Sequence, residues 1–181
     1  MVSIAILILL AWSFYIGYSR GLVLQGFYGV SSLFAILVAA LTYKKLSGIL
    51  YLWVPFANAT QGSFNYYFDE KYLFDLDQVF YAGLAFLTVY LLVYAIMRFV
   101  GIFVHLLEAY NPDTNQSNLI SGAIAVVVAL LSLQMVLVLV ATIPVDLVQE
   151  QLQKSFLANL LIQYIPTAHF FKAVWLSNIT G

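Results

Sequence analysis

Charged residues are scarce in this sequence. Only 8% of its 181 residues are charged, while 64% are hydrophobic. A soluble domain usually carries about 25% charged residues. The mean hydropathy of +0.96 is also far above the range of soluble proteins, and no polar stretch is long enough to bury a core of its own. The composition therefore predicts an integral membrane protein.

The sequence also lacks cysteine and recognisable catalytic motifs. Without Cys it has no disulfide framework and no thiolate metal site. Its formal net charge of −1 gives no reason to expect a nucleic acid partner. Neither His105 nor His169 belongs to an H-E-x-x-H pattern, and neither a G-x-S-x-G elbow nor a Gly-rich phosphate loop is present. We therefore predict a non-enzymatic protein with no catalytic residue, metal or cofactor.

Long apolar runs dominate the first 143 residues. About 20 apolar residues cross the hydrocarbon core of a bilayer, and the runs are continuous rather than alternating, which favours helices over strands. The four runs extend from about Val2 to Tyr18, Leu22 to Tyr43, Val79 to Leu107 and Leu119 to Ile143. The second run stops at Lys44-Lys45. We predict an all-α integral membrane protein whose residues 1–143 form a domain of four transmembrane helices, and we expect the first helix to be retained.

The connections between the runs differ in composition. Residues 46–78 are rich in aromatic residues and are broken by Pro55, Asn58 and Gly62. Because Trp and Tyr collect at the membrane–water boundary, this segment is predicted to be an interfacial loop; it either rests on lipid headgroups or docks a partner. The turn signal Asn111-Pro112-Asp113 predicts that the third and fourth helices form an antiparallel hairpin.

The tail, residues 144–181, shows helical amphipathic spacing after Pro144. The apolar face would contain Val145, Val148, Leu152, Phe156 and Leu160. The polar face would contain Asp146, Gln149, Glu150, Gln153 and Lys154. This pattern, with Pro at the start, predicts an amphipathic C-terminal helix that lies on the membrane surface or packs on the bundle, with a second break at Pro166.

Small residues recur at steps of three and four in the second and fourth runs. The set comprises Gly29, Ser32, Ala35 or Ile36, and Ala39 in the second run, and Gly122, Ala125, Ala129 and Ser132 in the fourth. Small residues let helix backbones approach closely in lipid. These faces therefore indicate helix packing, and the alternatives are a narrow solute path and a seam between copies of the chain.

The third run carries polar residues on one helical face. Arg98, Gly101, His105 and Glu108 follow each other at steps of three and four. Ionisable groups inside a membrane helix usually face protein or water. His105 and Glu108 either pair with each other or already lie where the helix emerges from the bilayer. Arg98 is deeper in the run, so it is predicted to face protein, lipid phosphate or water.

A single charged residue, Arg20, separates the first two runs, and Gly21 follows it. A cation at the N-terminus of the second helix opposes the helix dipole, so its position needs another reason. Arg20 could bond the free carbonyls that end the first helix, contact a lipid phosphate, act as a topology signal or bind an anionic ligand. Together, Arg20 and Gly21 are predicted to form the turn that joins the two helices as a hairpin.

The segment from Gly17 to Ala39, "GYSRGLVLQGFYGVSSLFAILVA", resembles the opening signature of the colicin V production (CvpA) family. Residues that fall on this signature are Gly17, Arg20, Gly21, Gln25 and Gly29. In the fourth run, "NLISGAIAVVVALL" stands where the family opens its fourth span with Leu and Gly, and Leu119 and Gly122 correspond to these two residues. The later Arg-Gly of the family is absent, with Val126 to Ala129 near its place, and Ser3 stands close to the position of an expected Asp.

The resemblance implies a multi-pass protein of the bacterial cytoplasmic (inner) membrane that supports production or export of a peptide toxin such as colicin V. The alternative is a small transporter or channel with Arg98, His105 and Glu108 on its path. The expected partners are the lipid bilayer and either further copies of the chain or other membrane proteins.

Orientation can be argued in two directions. With both termini inside, the cytoplasmic side would hold Lys44, Lys45, Lys71, Lys154 and Lys172, as the positive-inside rule favours. The first-loop Arg20 argues for the reverse.

Overall fold

The computed structural model describes residues 2–60, 63–105 and 114–180, which contain helices and no strand. Its long helices are α1 (Val2–Arg20), α2 (Leu22–Trp53), α3 (Leu76–His105) and α4 (Asn115–Ala141). Each is long and apolar enough to cross a membrane. This confirms the predicted all-α fold with four transmembrane helices. The turn at Asn111-Pro112-Asp113 lies outside the described residues.

The four helices pack mainly as two pairs. α1 packs against α4 and α2 packs against α3, while α4 also contacts α2. Close approach is possible because small residues lie at these contacts: Ala35 and Ala39 of α2 have no exposed surface, and Gly122 of α4 lies against the ring of Phe14. α1 and α2 are consecutive, but they make few contacts with each other. The prediction that these two helices pack against each other as a hairpin is therefore wrong, because α1 packs on α4 and α2 packs on α3.

The second helix is longer than the hydropathy pattern predicts. α2 passes through Lys44 and Lys45, both exposed, and ends at Trp53. Charged residues at the end of an apolar run mark its exit from lipid but do not break a helix. The break comes at Val54, whose extended backbone (φ −107°, ψ 119°) is the conformation that a following proline imposes. The helix therefore includes the first part of the segment assigned to the interfacial loop.

The tail contains three short helices instead of one. α5 (Asp146–Gln153) is followed by α6 (Phe156–Asn159), a π-helical turn (Leu160–Tyr164) and α7 (Pro166–Thr180). Because the chain breaks at Lys154–Ser155, Phe156 and Leu160 do not share a helix with Val145. The sequence pattern assigns Gln149 to the polar face, but its side chain is fully buried. This assignment is wrong because the Gln149 amide bonds backbone groups inside the protein. The amphipathic character of the C-terminal helix stays a prediction.

The contacts define two ends of the molecule. At the tail end, Ser3 of α1 bonds Ser155 (2.8 Å), and the loop residue Asn65 bonds the carbonyl of Ala141 at the end of α4 (2.8 Å). α7 packs on α3 and α4 at this end, with Trp175 fully buried. The opposite end, which we call the arginine end, contains the α1–α2 junction, the last turns of α3 and the first turns of α4.

Candidate functional site

The α1–α2 junction consists of one non-helical residue, Gly21. Its backbone (φ 81°, ψ 163°) lies in a region that is essentially restricted to glycine. A single residue in this conformation redirects the chain so that α1 can end at Arg20 and α2 can begin at Leu22. The Arg-Gly pair therefore forms a sharp junction between two helices that go to different partners.

The carbonyl groups at this junction are bonded by Ser121 of α4. Its hydroxyl donates to the carbonyl of Gly17 in a short hydrogen bond and to the carbonyl of Gly21 at 3.0 Å. A side chain on Gly17 would meet Ala125 and the Ser121 carbonyl, so glycine is needed for this close approach. Of the roles considered for Arg20, capping the first helix is thus performed by a serine, and the guanidinium is available for another contact.

Arg20 and Arg98 both lie against the ring of Tyr28. The guanidinium carbon is 5.3 Å from the ring centroid for Arg20 and 4.9 Å for Arg98. Gly101 makes room for this ring, since a Cβ there would be 2.6 Å from a Tyr28 carbon. Tyr28 is buried, so it holds two cations from different helices at a shared apolar surface. Each contact is a cation–π interaction, but the two like charges repel.

A cavity of about 200 Å³ opens beside the two arginines, and we call it the arginine cavity. Its polar lining consists of Ser13, Arg20, Gln25, Tyr94, Arg98 and Ser132. The Tyr94 phenol lies beside Arg98 and within electrostatic reach of Arg20. Gln25 is only 2% exposed, and its side-chain carbonyl oxygen has no hydrogen-bond partner in the described part of the chain. The cavity thus combines two cations, a phenol, hydroxyls and an unpaired amide oxygen.

The remaining predicted site residues are spread over the bundle. Ser32 bonds the Tyr90 hydroxyl at 3.1 Å, and Gly29 lies against Ile124. Gly122 and Ala125 face α1, Ala129 lines the arginine cavity, and Ala39 is buried in the core. His105 is the last residue of α3, and Glu108 lies outside the described residues. The structure therefore brings together Arg20, Gln25 and Arg98, which the sequence placed in two separate groups.

At the tail end, polar side chains bond backbone groups. Gln149 donates to the carbonyls of Ala141 (3.1 Å) and Ile143 (2.8 Å) and accepts from the N–H of Tyr66 (3.2 Å). Free carbonyls at the end of a helix need such partners. The Lys172 ammonium donates to the carbonyl of Tyr67 at 3.0 Å. Burial lowers the pKa of Lys172 to about 8. In the described residues, no group of three His, Asp or Glu side chains could hold a metal ion.

Sequence reasoning missed three residues of the arginine end: Tyr28, Tyr94 and Ser121. Tyr94 had a usable signal, because it precedes Arg98 by four residues and therefore lies on the same helical face. Tyr28 and Ser121 had none. Gly29 and the serine pair after Tyr28 indicate helix packing and give no sign of a cation site. Ser121 bonds residues about 100 positions earlier in the chain, and no local pattern predicts such a contact.

Comparison with known proteins identifies the same family as the opening motif. The family described as "Colicin V production protein" matches residues 2–166. The chain is similar to the uncharacterized transmembrane protein YshB of Bacillus subtilis (strain 168), with 30% identity over 167 residues that cover 92% of each protein. No solved structure matches the chain significantly. Together with the four apolar helices, these matches confirm a multi-pass membrane protein in bacteria.

Proposed function

Because the chain belongs to the colicin V production protein family, we propose that it is a non-enzymatic membrane component that supports production or export of a colicin V-type peptide toxin. The observation that carries this proposal is the family match over residues 2–166, which includes all four membrane helices. The family is of a membrane-protein type and is not a known enzyme family. Toxin synthesis itself would then be done elsewhere, and this protein would act at the membrane.

The size of the arginine cavity supports an accessory role over that of a peptide conduit. Its volume of about 200 Å³ is below the roughly 300–1,000 Å³ of typical ligand pockets. A space of that size accommodates a small polar group and not a folded or extended peptide. We therefore propose that the protein acts with a second copy or with other membrane proteins that provide the export path.

The test is a deletion in a strain that makes a colicin V-type toxin. Toxin in the medium and in the cells would be measured separately, with growth inhibition of a sensitive lawn as the activity readout. We expect the deletion to lower secreted toxin while toxin transcript stays constant, and the wild-type gene to restore it. Equal secreted toxin in the deletion and the parent would reject the proposal.

A second candidate function is that of a small transporter or channel for ions or small solutes. The observation that favours it is the arginine cavity, which offers charged and hydroxyl groups at one end of an otherwise apolar bundle. Proteoliposomes loaded with a pH-sensitive or anion-sensitive dye would report flux. Flux that exceeds that of protein-free vesicles, and that falls in Arg98→Gln protein, would favour this candidate.

A further inference from the structure

The arginine cavity places two cations together without a counter-charge in the part of the chain that the structure describes. Neither Arg20 nor Arg98 forms an ion pair with a described residue. The described acidic residues lie at 69–77 and 146–150, at the tail end. The two guanidinium carbons lie 5.3 and 4.9 Å from the centroid of the same Tyr28 ring, so the like charges are near each other. Charges inside a membrane protein are usually paired, and among the described residues no acidic side chain pairs with these two arginines.

Gln25 provides a second, independent sign of a missing ligand. Its side chain is 2% exposed, it lines the same cavity, and its amide oxygen has no hydrogen-bond partner among the described residues. Nearly all buried polar groups in proteins are hydrogen-bonded, and a group left unpaired costs free energy. Because this oxygen is an acceptor, it requires a donor such as a hydroxyl. A ligand that satisfies both features carries a negative charge and a hydrogen-bond donor, and an O–H is one such donor.

The local helix geometry agrees with an anion. Gln25 lies one turn into α2, and its N–H donates to the carbonyl of Gly21 at 3.2 Å, so the cavity adjoins the positive end of the α2 dipole. At the negative end of α1, Ser121 bonds the Gly17 carbonyl, and it also bonds the Gly21 carbonyl of the junction. The Arg20 guanidinium lies instead against the Tyr28 ring beside the cavity.

The cavity also lies towards one end of the helix bundle, where a phosphate at the membrane edge could be reached. Arg20 is the last residue of α1, and Arg98 lies seven residues before the end of the described part of α3, which is about 10 Å at 1.5 Å per residue. The Arg98 side chain is exposed on the outside of the bundle. Guanidinium groups bind phosphate oxygens in a forked, charge-assisted geometry that lysine does not reproduce.

We propose that the arginine cavity binds a phosphate group that carries or adjoins a hydroxyl. Arg20 and Arg98 bond the phosphate oxygens, and Gln25 accepts a hydrogen bond from the hydroxyl. Two sources offer this chemistry: the headgroup of phosphatidylglycerol, whose glycerol hydroxyls adjoin the phosphate, and inorganic phosphate, which carries its own P–OH. The proposal rests on the geometry of the cavity and holds whether or not the protein supports toxin export.

The experiment measures ligand binding to the full-length protein purified in a neutral detergent. Thermal unfolding would be followed by tryptophan fluorescence while phosphatidylglycerol, phosphatidylcholine or inorganic phosphate is added, and native mass spectrometry would count retained lipids. We expect a concentration-dependent rise in Tm with phosphatidylglycerol or with phosphate, but not with phosphatidylcholine. A response to phosphatidylglycerol alone identifies the lipid as the source, and a response to phosphate alone identifies the free anion.

Two variants and a matched control locate the binding. Arg20→Gln/Arg98→Gln should weaken binding about a hundredfold or more, since two charge-assisted hydrogen bonds to the phosphate are lost. The control Lys44→Gln/Lys45→Gln removes two exposed cations from the same bundle and should bind as the wild type does. If the double arginine variant fails to fold, Gln25→Glu carries the test. The new carboxylate places a negative charge beside the two arginines, so the Tm of this variant should be at least as high as that of the wild type. Added ligand should no longer raise its Tm.

The proposal is overturned if neither phosphatidylglycerol nor inorganic phosphate raises the Tm of the wild type. It is also overturned if Gln25→Glu responds to the ligand as strongly as the wild type, or if the lysine control loses binding to the same extent as the arginine variant. These outcomes are independent of secretion, so a failure of the toxin-export proposal would leave the binding result standing.

Discussion

Two glutamines, Gln149 at the tail end and Gln25 at the arginine end, are almost equally buried, at 0% and 2% exposure. Gln149 uses both ends of its amide, bonding two carbonyls and one N–H of the backbone. Gln25 leaves its carbonyl oxygen unpaired within the described residues. At nearly the same burial, Gln149 therefore bonds the backbone fully, whereas Gln25 keeps an acceptor without a partner among the described residues.

The cations of the two ends differ in the same way. Lys172 donates to the Tyr67 carbonyl and lies 5.3 Å from the Phe68 ring, so a backbone group is its partner. Arg20 and Arg98 share the Tyr28 ring, lie near the Tyr94 phenol, and form no ion pair with a described residue. Gln149 and Lys172 thus bond the backbone of the folded chain, whereas our proposal assigns Arg20, Arg98 and Gln25 to a ligand. The following predictions test that division, beginning with the largest effect on stability.

Gln149→Leu should cause the largest loss of stability. It removes the partner of the Ile143 carbonyl and of the Tyr66 N–H, while the Ala141 carbonyl retains Asn65. Each buried backbone group that is left unpaired costs about 1–3 kcal/mol. Denaturant unfolding in detergent would measure this loss. Gln151→Leu, an exposed position on the same helix, should change stability by less than about 0.5 kcal/mol, and an equal loss in both variants would contradict the assignment.

Gly17→Ala should destabilise the arginine end through overpacking. The added methyl would lie 2.9 Å from the Ser121 carbonyl and would also meet Ala125, so α1 and α4 must move apart at a cost of about 1–3 kcal/mol. Gly26→Ala is the matched control, because nothing lies within 4 Å of its Cβ position. Alanine there should be neutral or stabilise α2 by up to about 1 kcal/mol. A comparison of Tm values would show whether the two glycines differ in this direction.

Lys172 should make the attachment of the tail depend on pH. Burial lowers its folded pKa to about 8 from an ordinary 10.5, so above pH 8 the unfolded chain binds the proton more tightly than the folded chain does. The stability of the folded state should therefore rise as the pH is raised from about 8. Burial raises the pKa of Tyr67 to about 12, which opposes this rise only above about pH 10.

The measurement is a series of Tm values between about pH 7 and pH 10 for the wild type and for Lys172→Met. Lys172→Met keeps the apolar stem and removes the titration, so its Tm should stay flat where that of the wild type rises. A rise of equal size in both proteins would assign the pH dependence to other groups.

Gln25→Leu should have the smallest effect on stability. It removes a buried oxygen that has no partner in the described chain, so the folded state should be unchanged or slightly more stable. Its effect should appear instead in binding of phosphate-bearing ligands and in complementation of a deletion strain. A loss of stability as large as that of Gln149→Leu would erase the difference between the two ends of the molecule.

Much of the fold was predictable because it depends on local composition. The four apolar runs are long enough to cross a bilayer, and lipid forces each of them to satisfy its own backbone as a helix. The Arg20-Gly21 junction was also visible, since a glycine between two apolar runs marks a backbone that side chains do not tolerate. Helix ends were less predictable. The run of apolar residues stops at Lys44, whereas the helix stops at Val54, where the following proline controls the backbone.

The sequence by itself determined the membrane class, the four helices and the residue types available at the junction. Only the tertiary structure decided which helices pair, that Arg20 and Arg98 meet at the ring of Tyr28, and that Ser121 bonds the Gly17 and Gly21 carbonyls. The physical reason is that hydropathy and backbone preference act over a few neighbouring residues. Contacts between residues about 80 to 100 positions apart depend on helix packing, and small residues on several faces permit more than one pairing.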